Sequence, residues 1–448
     1  MYLCTSVRVF RSSRFESHVR SNKGHCLNEQ FSQRWGALDN SDFIVERLET
    51  DGDLVQYFKL IREIWSNELG LDTLVRKLID YQPNMTLRNI YVARDKGEMV
   101  STLNLVPVTW MIGGTKLKVA EMGFVGTLPE YRGKGLIRKL VEEYHKDVEA
   151  QGYDLAVIEG IPYFYRQFGY EYAVPLLEET RLRLDQIPNY KSTIRVRQFI
   201  DEDVPTAIGL LEKTQEKYFV HSIRDEATWK AQQKTSIASD PEPFQAFIVE
   251  EKGRSVAYFR MREVVKEKEL LVTEISEVDQ CAAQAVLAFL KEYGLGHGLE
   301  TLSVNVSYEE PFTEQVLALG GTKRFPVYAW QLQVTDYLKM FEKMKPLLES
   351  RLARSMYYRL TETLSFNFRN FTIELTCKDG KIMDIHRLES RTWSPIGLNP
   401  TVFVQLLTGY RSREEMEMAF PDVRIAVSHR DLIDVLFPKL PSYIHSAY

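Results

Sequence analysis

Apolar residues recur along this chain in two periods, and the alternation between them predicts a mixed α/β fold, with α/β and α+β units. An alternating run at 44–48 predicts a strand, and apolar residues at three- and four-residue steps over 54–65 predict a helix. Further strands are predicted at 89–93, 99–106, 117–127 and 153–158. Between the last two strands, one apolar helix face is predicted from Leu136, Leu140, Val141, Tyr144 and Val148.

The same order of elements then recurs in the second half of the chain. Residues 247–256 match 91–100 around a shared Lys-Gly turn, and 271–278 match 118–125. A predicted helix and a predicted strand follow, as they do in the first half. Internal duplication of one α/β unit is the simplest explanation of this recurrence.

A helical stretch at 334–354 separates the repeated pair from a third unit. Alternation over 364–375 predicts one strand, and Lys378-Asp-Gly380 predicts a turn before the next strand. Helices are predicted at 400–407 and 430–436. The predicted organisation is an extension over 1–40, a unit over 41–185, its repeat over 186–335, and an α+β unit over 336–448.

Composition narrows the class of protein. The length of 448 residues predicts two to four domains, and a net charge of −5 argues against a general nucleic-acid binder. No apolar run approaches the roughly 20 residues that span a bilayer, so we expect a soluble protein. The first 40 residues are rich in Ser and Arg, which is typical of a disordered tail, an extension from an upstream start codon or a transit peptide.

The cysteines and histidines indicate neither a disulfide framework nor a metal site. The four cysteines form no CxxC pair, and the eight histidines show no metal-ligand spacing. Such scattered thiols are compatible with a reducing cytoplasm, which is the expected location.

The segment from Glu121 to Leu140 contains the clearest candidate for a ligand-binding motif. It predicts a buried strand, a turn marked by Pro129, a cationic glycine loop (Arg132-Gly-Lys-Gly135) and a helix. Backbone N–H groups at a helix N-terminus favour anions, and glycines let a phosphate approach closely. This arrangement predicts a pyrophosphate site, although a glycine-rich turn with exposed cations is the structural alternative.

The corresponding segment of the second half differs from the loop. Residues 278–285 (Val-Asp-Gln-Cys-Ala-Ala-Gln-Ala) contain no glycine and carry a carboxylate, which should repel a pyrophosphate. Only the first half is therefore expected to bind a cofactor that carries a pyrophosphate.

Together these motifs resemble a known family. The loop Arg132-Gly-Lys-Gly-Leu-Ile137 resembles the acetyl-CoA loop of GNAT N-acetyltransferases, R/Q-x-x-G-x-G/A, with Ile137 in place of the final small residue. It is similar to the Eis (enhanced intracellular survival) type, whose loop often ends in a bulkier aliphatic residue. The aromatic segment 160–172, the degenerate second unit and the segment 403–412, which looks like part of a sterol-carrier-protein-like domain, extend the resemblance over residues 41 to 448.

The resemblance implies an acetyl-CoA-dependent N-acetyltransferase that acts on a primary amine of a cationic small molecule or peptide. It implies acetyl-CoA as cosubstrate, no metal, and a ring-like homo-oligomer such as a hexamer. The implied cofactor-binding residues are Phe124, Val125, Thr127, Arg132, Gly133, Lys134, Gly135, Leu136 and Ile137. A non-catalytic protein that binds acetyl-CoA or a lipid as a signal is the alternative function.

The resemblance also marks Tyr165 as the general acid. Because a phenol near pKa 10 is a weaker acid than a thiol near 8.5, full proton transfer would be uphill by about 2 kcal/mol. Tyr165 is therefore expected to act mainly as a hydrogen-bond donor to the leaving thiolate. Its structural alternative is an aromatic packing residue, like Tyr163 and Phe168.

The general base is less well defined by the sequence. The resemblance implies the terminal carboxylate of an aromatic last residue, which is Tyr448 in this chain. An α-carboxylate with a pKa near 3.5 is a poor base unless burial raises the pKa, and a frayed terminus is the structural alternative. His445, Glu121 and Glu159 are the other candidates.

Overall fold

A large central sheet and a smaller sheet organise the part of the chain described by this computed structural model, residues 43–67, 70–235, 244–389 and 394–445. The predicted extension over 1–40 lies outside these ranges. The strands are β1 Ile44–Arg47, β2 Ile90–Asp95, β3 Glu98–Ile112, β4 Thr115–Thr127, β5 Leu155–Ile158, β6 Glu171–Arg183, β7 Arg195–Gln198, β8 Val220–Ser222, β9 Gln245–Glu251, β10 Arg254–Val264, β11 Glu269–Ile275, β12 Thr301–Val304, β13 Thr322–Val334, β14 Glu362–Asn367, β15 Thr372–Lys378, β16 Lys381–Leu388, β17 Ile396–Gly397 and β18 Arg424–Ile425. The helices are α1 Asp51–Ile64, α2 Leu71–Tyr81, α3 Leu136–Ala150, α4 Val204–Gln215, α5 Glu226–Thr235, α6 Gln280–Gly296, α7 Pro311–Ala318, α8 Tyr337–Ala353, α9 Pro400–Leu407, α10 Arg413–Ala419 and α11 Arg430–Leu436.

The central sheet is mixed and continuous through both halves of the chain. Its strands follow the order β1-β2-β3-β4-β5-β13-β6-β12-β11-β10-β9-β7. The short strand β8 pairs with the C-terminal end of β3. The neighbours β4 and β5 are parallel, as are β11 and β12, and the other pairs of this sheet are antiparallel. The predicted mixed α/β class is confirmed.

At the centre of this sheet the two halves exchange strands. The strand β13, from the second half, lies beside β5 of the first half, with Gln331 opposite Ile158. Reciprocally, β6 of the first half lies beside β12 of the second, with Arg183 opposite Thr301. Because β6 and β13 also pair with each other, each half completes the sheet of the other.

The helix α3 covers one face of the first half of the sheet. Its buried residues are the five predicted from the apolar period: Leu136, Leu140, Val141, Tyr144 and Val148. They pack in one cluster with residues of β2 to β5. The predicted helix face is therefore confirmed.

The C-terminal unit is built on the smaller sheet, in the order β16-β15-β14-β17-β18. The single strand predicted over 364–375 is wrong, because the chain turns between β14 and β15. Arg369 adopts a φ of 70°, and the amide of Phe368 donates to the carbonyl of Phe371 over 2.8 Å. None of the helices in the described ranges is both long and apolar enough to cross a membrane.

The C-terminal unit docks on the strands at the centre of the large sheet. The Gln405 side-chain amide donates to the carbonyl of Tyr172 over 2.8 Å, and the Thr408 hydroxyl donates to that of Ala173 over 2.7 Å. The segment 441–445 then runs beside β8, where the amide of Tyr443 donates to the carbonyl of Val220 over 3.0 Å. These contacts hold the end of the described chain against the large sheet.

Candidate active site

The strands β4 and β5 separate at their C-terminal ends. They pair in parallel up to Glu121 opposite Val157, whereas β4 continues to Thr127 paired with β3. Among the described residues, the β5-facing edge of residues 122–127 therefore has no strand partner. Such an edge offers backbone donors and acceptors to an extended ligand, as in strand addition.

A β-bulge shapes this open edge. Leu103 of β3 lies opposite both Phe124 and Val125, and Phe124 adopts a φ of 51°. Bulges re-aim side chains and end regular pairing. Phe124 is buried in the core that includes residues of α1, whereas Val125 packs against the cluster that contains Tyr165. Of these two predicted residues, only Val125 directs its side chain toward the Tyr165 cluster.

The predicted glycine loop follows β4 directly. Gly133 and Gly135 adopt φ angles of 76° and 75°, in the left-handed region that favours glycine. Gly135 is the N-cap of α3 and brings no side-chain acceptor to the helix. The amides of the first helical turn, including those of Leu136 and Ile137, have no intrahelical acceptor, so they are available to an anion.

Two cations flank this loop. The Arg132 side chain is exposed, and its Nε donates to the carbonyl of Thr127 over 3.3 Å. The Lys134 ammonium lies 4.4 Å from the centre of the Tyr131 ring, a cation–π contact. The Tyr131 hydroxyl in turn donates to Asp95 over 3.0 Å. The loop therefore holds both positive charges beside the open helix N-terminus.

The second half lacks this arrangement, in agreement with its sequence. Its helix α6 begins after Asp279, whose carboxylate accepts the amide of Ala282 over 2.8 Å. A carboxylate thus caps the helix where the first half presents glycine. This supports the expectation that only the first half binds a pyrophosphate.

Tyr165 lies in a short 3-10 turn after β5, Phe164–Phe168. Its side chain is 5% exposed and its ring packs so closely on Gly160 that a Cβ there would lie 2.2 Å from Cε2. Within the described ranges the Tyr165 hydroxyl makes no hydrogen bond. Burial raises the pKa of Tyr165 above its usual value, so the hydroxyl keeps its proton at neutral pH and can donate a hydrogen bond.

Contacts from two directions hold the Tyr165 turn. From β13, the Gln331 side-chain amide donates to the carbonyl of Gly160 over 2.9 Å. From α3, the guanidinium of Arg138 donates to Gln167 over 3.0 Å. The turn is therefore fixed both by the helix that follows the glycine loop and by a strand of the second half.

The structure brings part of the predicted site together. Leu136 and Tyr165 share one buried cluster, and Val125 and Ile137 pack against it. Thr127 is buried at the end of β4, where its hydroxyl lies 2.7 Å from that of Ser101. Predicted cofactor residues and the predicted acid therefore border the same region, where β4 and β5 diverge.

The candidate bases lie in different parts of the structure. Glu121 is buried at the last position where β4 pairs on both sides, and burial raises the pKa of Glu159 just after β5. His445 lies beside Gln215, and burial lowers its pKa to about 3, which makes it a weak base. Tyr448 lies outside the described residues.

Sequence reasoning missed three residues that shape the site. These residues are Tyr131, whose ring contacts the Lys134 ammonium, and the two glycines Gly126 and Gly160. A Cβ on Gly126 would lie 2.7 Å from both Ile64 and Trp65. Isolated glycines within or beside a strand indicate close approach of another group, and this signal was present in the sequence.

Comparison with known proteins agrees with this geometry. Residues 46–173 match the family described as an acetyltransferase (GNAT) domain. An uncharacterized N-acetyltransferase of Escherichia coli K12, YhbS, is 27% identical over 165 residues, which are 34% of this chain and 95% of that protein.

Solved structures are similar over most of the chain. A GCN5-related N-acetyltransferase from Anabaena variabilis superposes with a TM-score of 0.71 at 15% identity, over 91% of this chain and 100% of the other. Eis1 from Mycobacterium abscessus superposes with a TM-score of 0.65 at 14% identity, over 90% of this chain and 100% of the other. Residues 46–173 thus match a GNAT acetyltransferase domain, and the fold over most of the chain is similar to that of GCN5-related N-acetyltransferases.

Proposed function

We propose that the first half of this protein transfers an acetyl group from acetyl-CoA to a primary amine of a cationic small molecule or peptide. One observation carries the proposal: in the described part of the chain, an open strand edge, an uncapped helix N-terminus and a tyrosine hydroxyl without a hydrogen bond border one region of the segment that matches a GNAT domain. These features match the three parts of a thioester substrate: its extended arm, its pyrophosphate and its leaving sulfur.

The hydrogen-bond donors and cations of this region are suited to binding acetyl-CoA. The backbone of 122–127 would pair with the amides of the pantetheine arm, since no described strand pairs with this edge. The Arg132–Ile137 loop would hold the pyrophosphate, because its helix N-terminus lacks a side-chain acceptor and carries Arg132 and Lys134. Binding both ends would fix the thioester for direct attack, which can lower the barrier by several kcal/mol.

In the proposed reaction a neutral amine attacks the thioester carbonyl carbon. The new C–N bond forms, the C–S bond breaks, and the sulfur leaves with the bonding electron pair. Tyr165 donates a hydrogen bond to this sulfur, because its raised pKa makes it a donor and not a strong acid. The amine proton passes to a base.

We propose the carboxylate of Tyr448 as that base. The neighbouring segment supports the proposal, because the chain is buried beside β8 up to His445, whose carbonyl accepts the Ser222 hydroxyl over 2.6 Å. Burial of the carboxylate would raise its pKa from the usual value near 3.5 and make it a better base.

Removing Tyr448, or adding residues after it, should therefore lower kcat for acetyl transfer by about 100-fold, the usual contribution of a general base. Both variants should remain folded with a cooperative thermal transition, because residues 441–445 keep their contacts with β8. Steady-state kinetics and thermal unfolding measure the two quantities. Unaltered turnover in both variants would exclude the carboxylate from the mechanism.

The proposed domains follow the predicted boundaries: a catalytic GNAT domain over 41–185, a degenerate GNAT-like domain over 186–335 and a sterol-carrier-protein-like domain over 336–448. The mirrored strand order of the central sheet supports the first two. An Eis-type homo-oligomer in the cytoplasm belongs to the same proposal, and light scattering of the purified protein tests the oligomeric state.

One assay separates this function from a non-catalytic protein that binds acetyl-CoA or a lipid. The purified chain is mixed with acetyl-CoA and a panel of amines, including an aminoglycoside, a lysine amide and a peptide amine, and thiol release is followed. At least one amine should raise release above the rate of hydrolysis. Tight binding of acetyl-CoA without turnover on any amine would favour the non-catalytic alternative.

A further inference from the structure

A pair of buried arginines lies in the second half of the protein, away from the glycine loop. Arg224 follows β8 and is 6% exposed, and Arg260 lies in β10 and is 4% exposed. Both donate through Nη1 to the same oxygen of Gln232, over 2.8 and 2.7 Å. Two guanidinium groups therefore share one neutral acceptor inside the protein.

One carboxylate accompanies the pair. Glu274 of β11 accepts from Arg224 over 2.8 Å and lies 3.7 Å from Arg260. The Tyr258 hydroxyl donates to the other oxygen of Glu274 over 2.9 Å, and burial raises the pKa of Tyr258, which stays neutral. Within the described ranges, the positive charges of both arginines thus face a single negative charge.

The other described residues that contact the pair are uncharged. The guanidinium carbons of Arg224 and Arg260 each lie 4.3 Å from the centre of the Trp229 ring. The guanidinium of Arg260 also lies 4.7 Å from the ring centre of Phe244. His445 is buried nearby and neutral, since burial lowers its pKa to about 3. Among the described residues, one positive charge of this cluster is therefore not balanced by a contacting carboxylate.

Several donors of the cluster are also unsatisfied within the described part of the chain. The Nε and Nη2 atoms of Arg260, Nε of Arg224 and Nε2 of His445 are buried without a hydrogen-bond partner. Burying an unpaired charge with unmade hydrogen bonds is strongly unfavourable. An added anion would accept these hydrogen bonds and balance the excess charge.

We propose that this cluster binds a carboxylate group at Arg260. The Nε and Nη2 atoms lie on the same edge of the guanidinium, where two parallel N–H bonds match the two oxygens of a carboxylate. One carboxylate also balances the one excess positive charge, whereas a doubly charged phosphate would exceed it.

The carboxylate has two possible sources. It can belong to a free small molecule, or it can be the carboxylate of Tyr448, three residues after His445 and within about 10 Å of it in an extended chain. A Tyr448 carboxylate bound at Arg260 could not also act as the base of the first half. The experiment therefore includes a chain that ends at His445.

The test measures thermal unfolding of the full chain in sodium acetate and in sodium chloride at equal ionic strength. A free-ligand site predicts a saturable rise of the melting temperature in acetate, for the full chain and the shortened chain alike. Occupation by Tyr448 predicts this rise in the shortened chain only. Absence of the rise in both chains would overturn the proposal.

The variant Arg260→Met should remove the acetate effect in whichever chain shows it, with at least about tenfold weaker apparent binding. Arg351→Met is the matched control, since Arg351 is a partly buried arginine stacked on Phe219, and it should respond like the parent chain. If Arg260→Met does not fold, Arg260→Lys, which keeps the charge but loses the paired donors, is measured for the same tenfold loss. A parent-like acetate response in the variant would also overturn the proposal.

Discussion

Replacing Tyr165 with phenylalanine should reduce kcat for acetyl transfer by about 100-fold, the usual loss when one donor to a developing negative charge is removed. The Kd for acetyl-CoA should stay unchanged, because the substitution removes the hydroxyl and keeps the ring against Gly160. The hydroxyl makes no other hydrogen bond in the described protein, so its removal leaves no buried partner unsatisfied. Single-turnover kinetics and calorimetric titration of acetyl-CoA measure the two effects.

Tyr170→Phe is the matched control for this prediction. Tyr170 belongs to the same aromatic cluster, with its ring centre 6.3 Å from that of Tyr165, and its hydroxyl lies 3.0 Å from Nε2 of His145. Its removal should change kcat little. Equal losses of kcat and cofactor affinity in Tyr165→Phe would assign Tyr165 to packing.

The pH dependence follows from the direction of the pKa shift. Burial raises the pKa of Tyr165 above 10, so the hydroxyl remains protonated as the pH rises from 7 to about 9. Loss of this donor therefore cannot reduce activity in that range, and the ratio of wild-type to Tyr165→Phe turnover should be constant across it.

Replacing Gly135 with valine should weaken acetyl-CoA binding at least about tenfold, because an L-residue is disfavoured by about 1–2 kcal/mol in this left-handed conformation and would shift the N-cap whose amides are proposed to bind the pyrophosphate. The side chain would also lie where the pyrophosphate is proposed to approach the first turn of α3. Calorimetric titration of acetyl-CoA against the purified variant measures the change.

Gly253→Val is the control, because Gly253 has a similar φ of 78° with open space around its Cα, in the turn between β9 and β10 of the second half. It should destabilise the protein comparably and bind acetyl-CoA as the parent does. A Gly135→Val variant that retains parental affinity would remove the glycine loop from cofactor binding.

Local patterns predicted much of this structure, and long-range pairing set the rest. The face of α3 and the glycine loop follow from spacing within one segment, so Leu136 to Val148 were predicted correctly. The break between β14 and β15 is a local feature, but it depends on Arg369 adopting a positive φ, which alternation alone does not indicate. The exchange of β6 and β13 joins residues far apart in sequence, such as Gln331 and Ile158, so no local pattern could indicate it.

The candidate site shows the same division. The loop residues and Tyr165 were predicted from motifs, whereas the hydrogen bond from Gln331 to Gly160 depends on the exchanged strand. Likewise, the low pKa of His445 depends on its burial beside Gln215 and could not be inferred from its position in the chain.

The exchanged strand also explains why a half without a glycine loop can still be indispensable. Removal of the second half would strip β13 from β5, expose a sheet edge prone to aggregation and take Gln331 away from the Tyr165 turn. The second half can thus lack a glycine loop of its own and still be needed for the proposed activity, because the sheet of the first half would be incomplete without it. Any attempt to excise a minimal catalytic domain has to carry residues 322–334 with it.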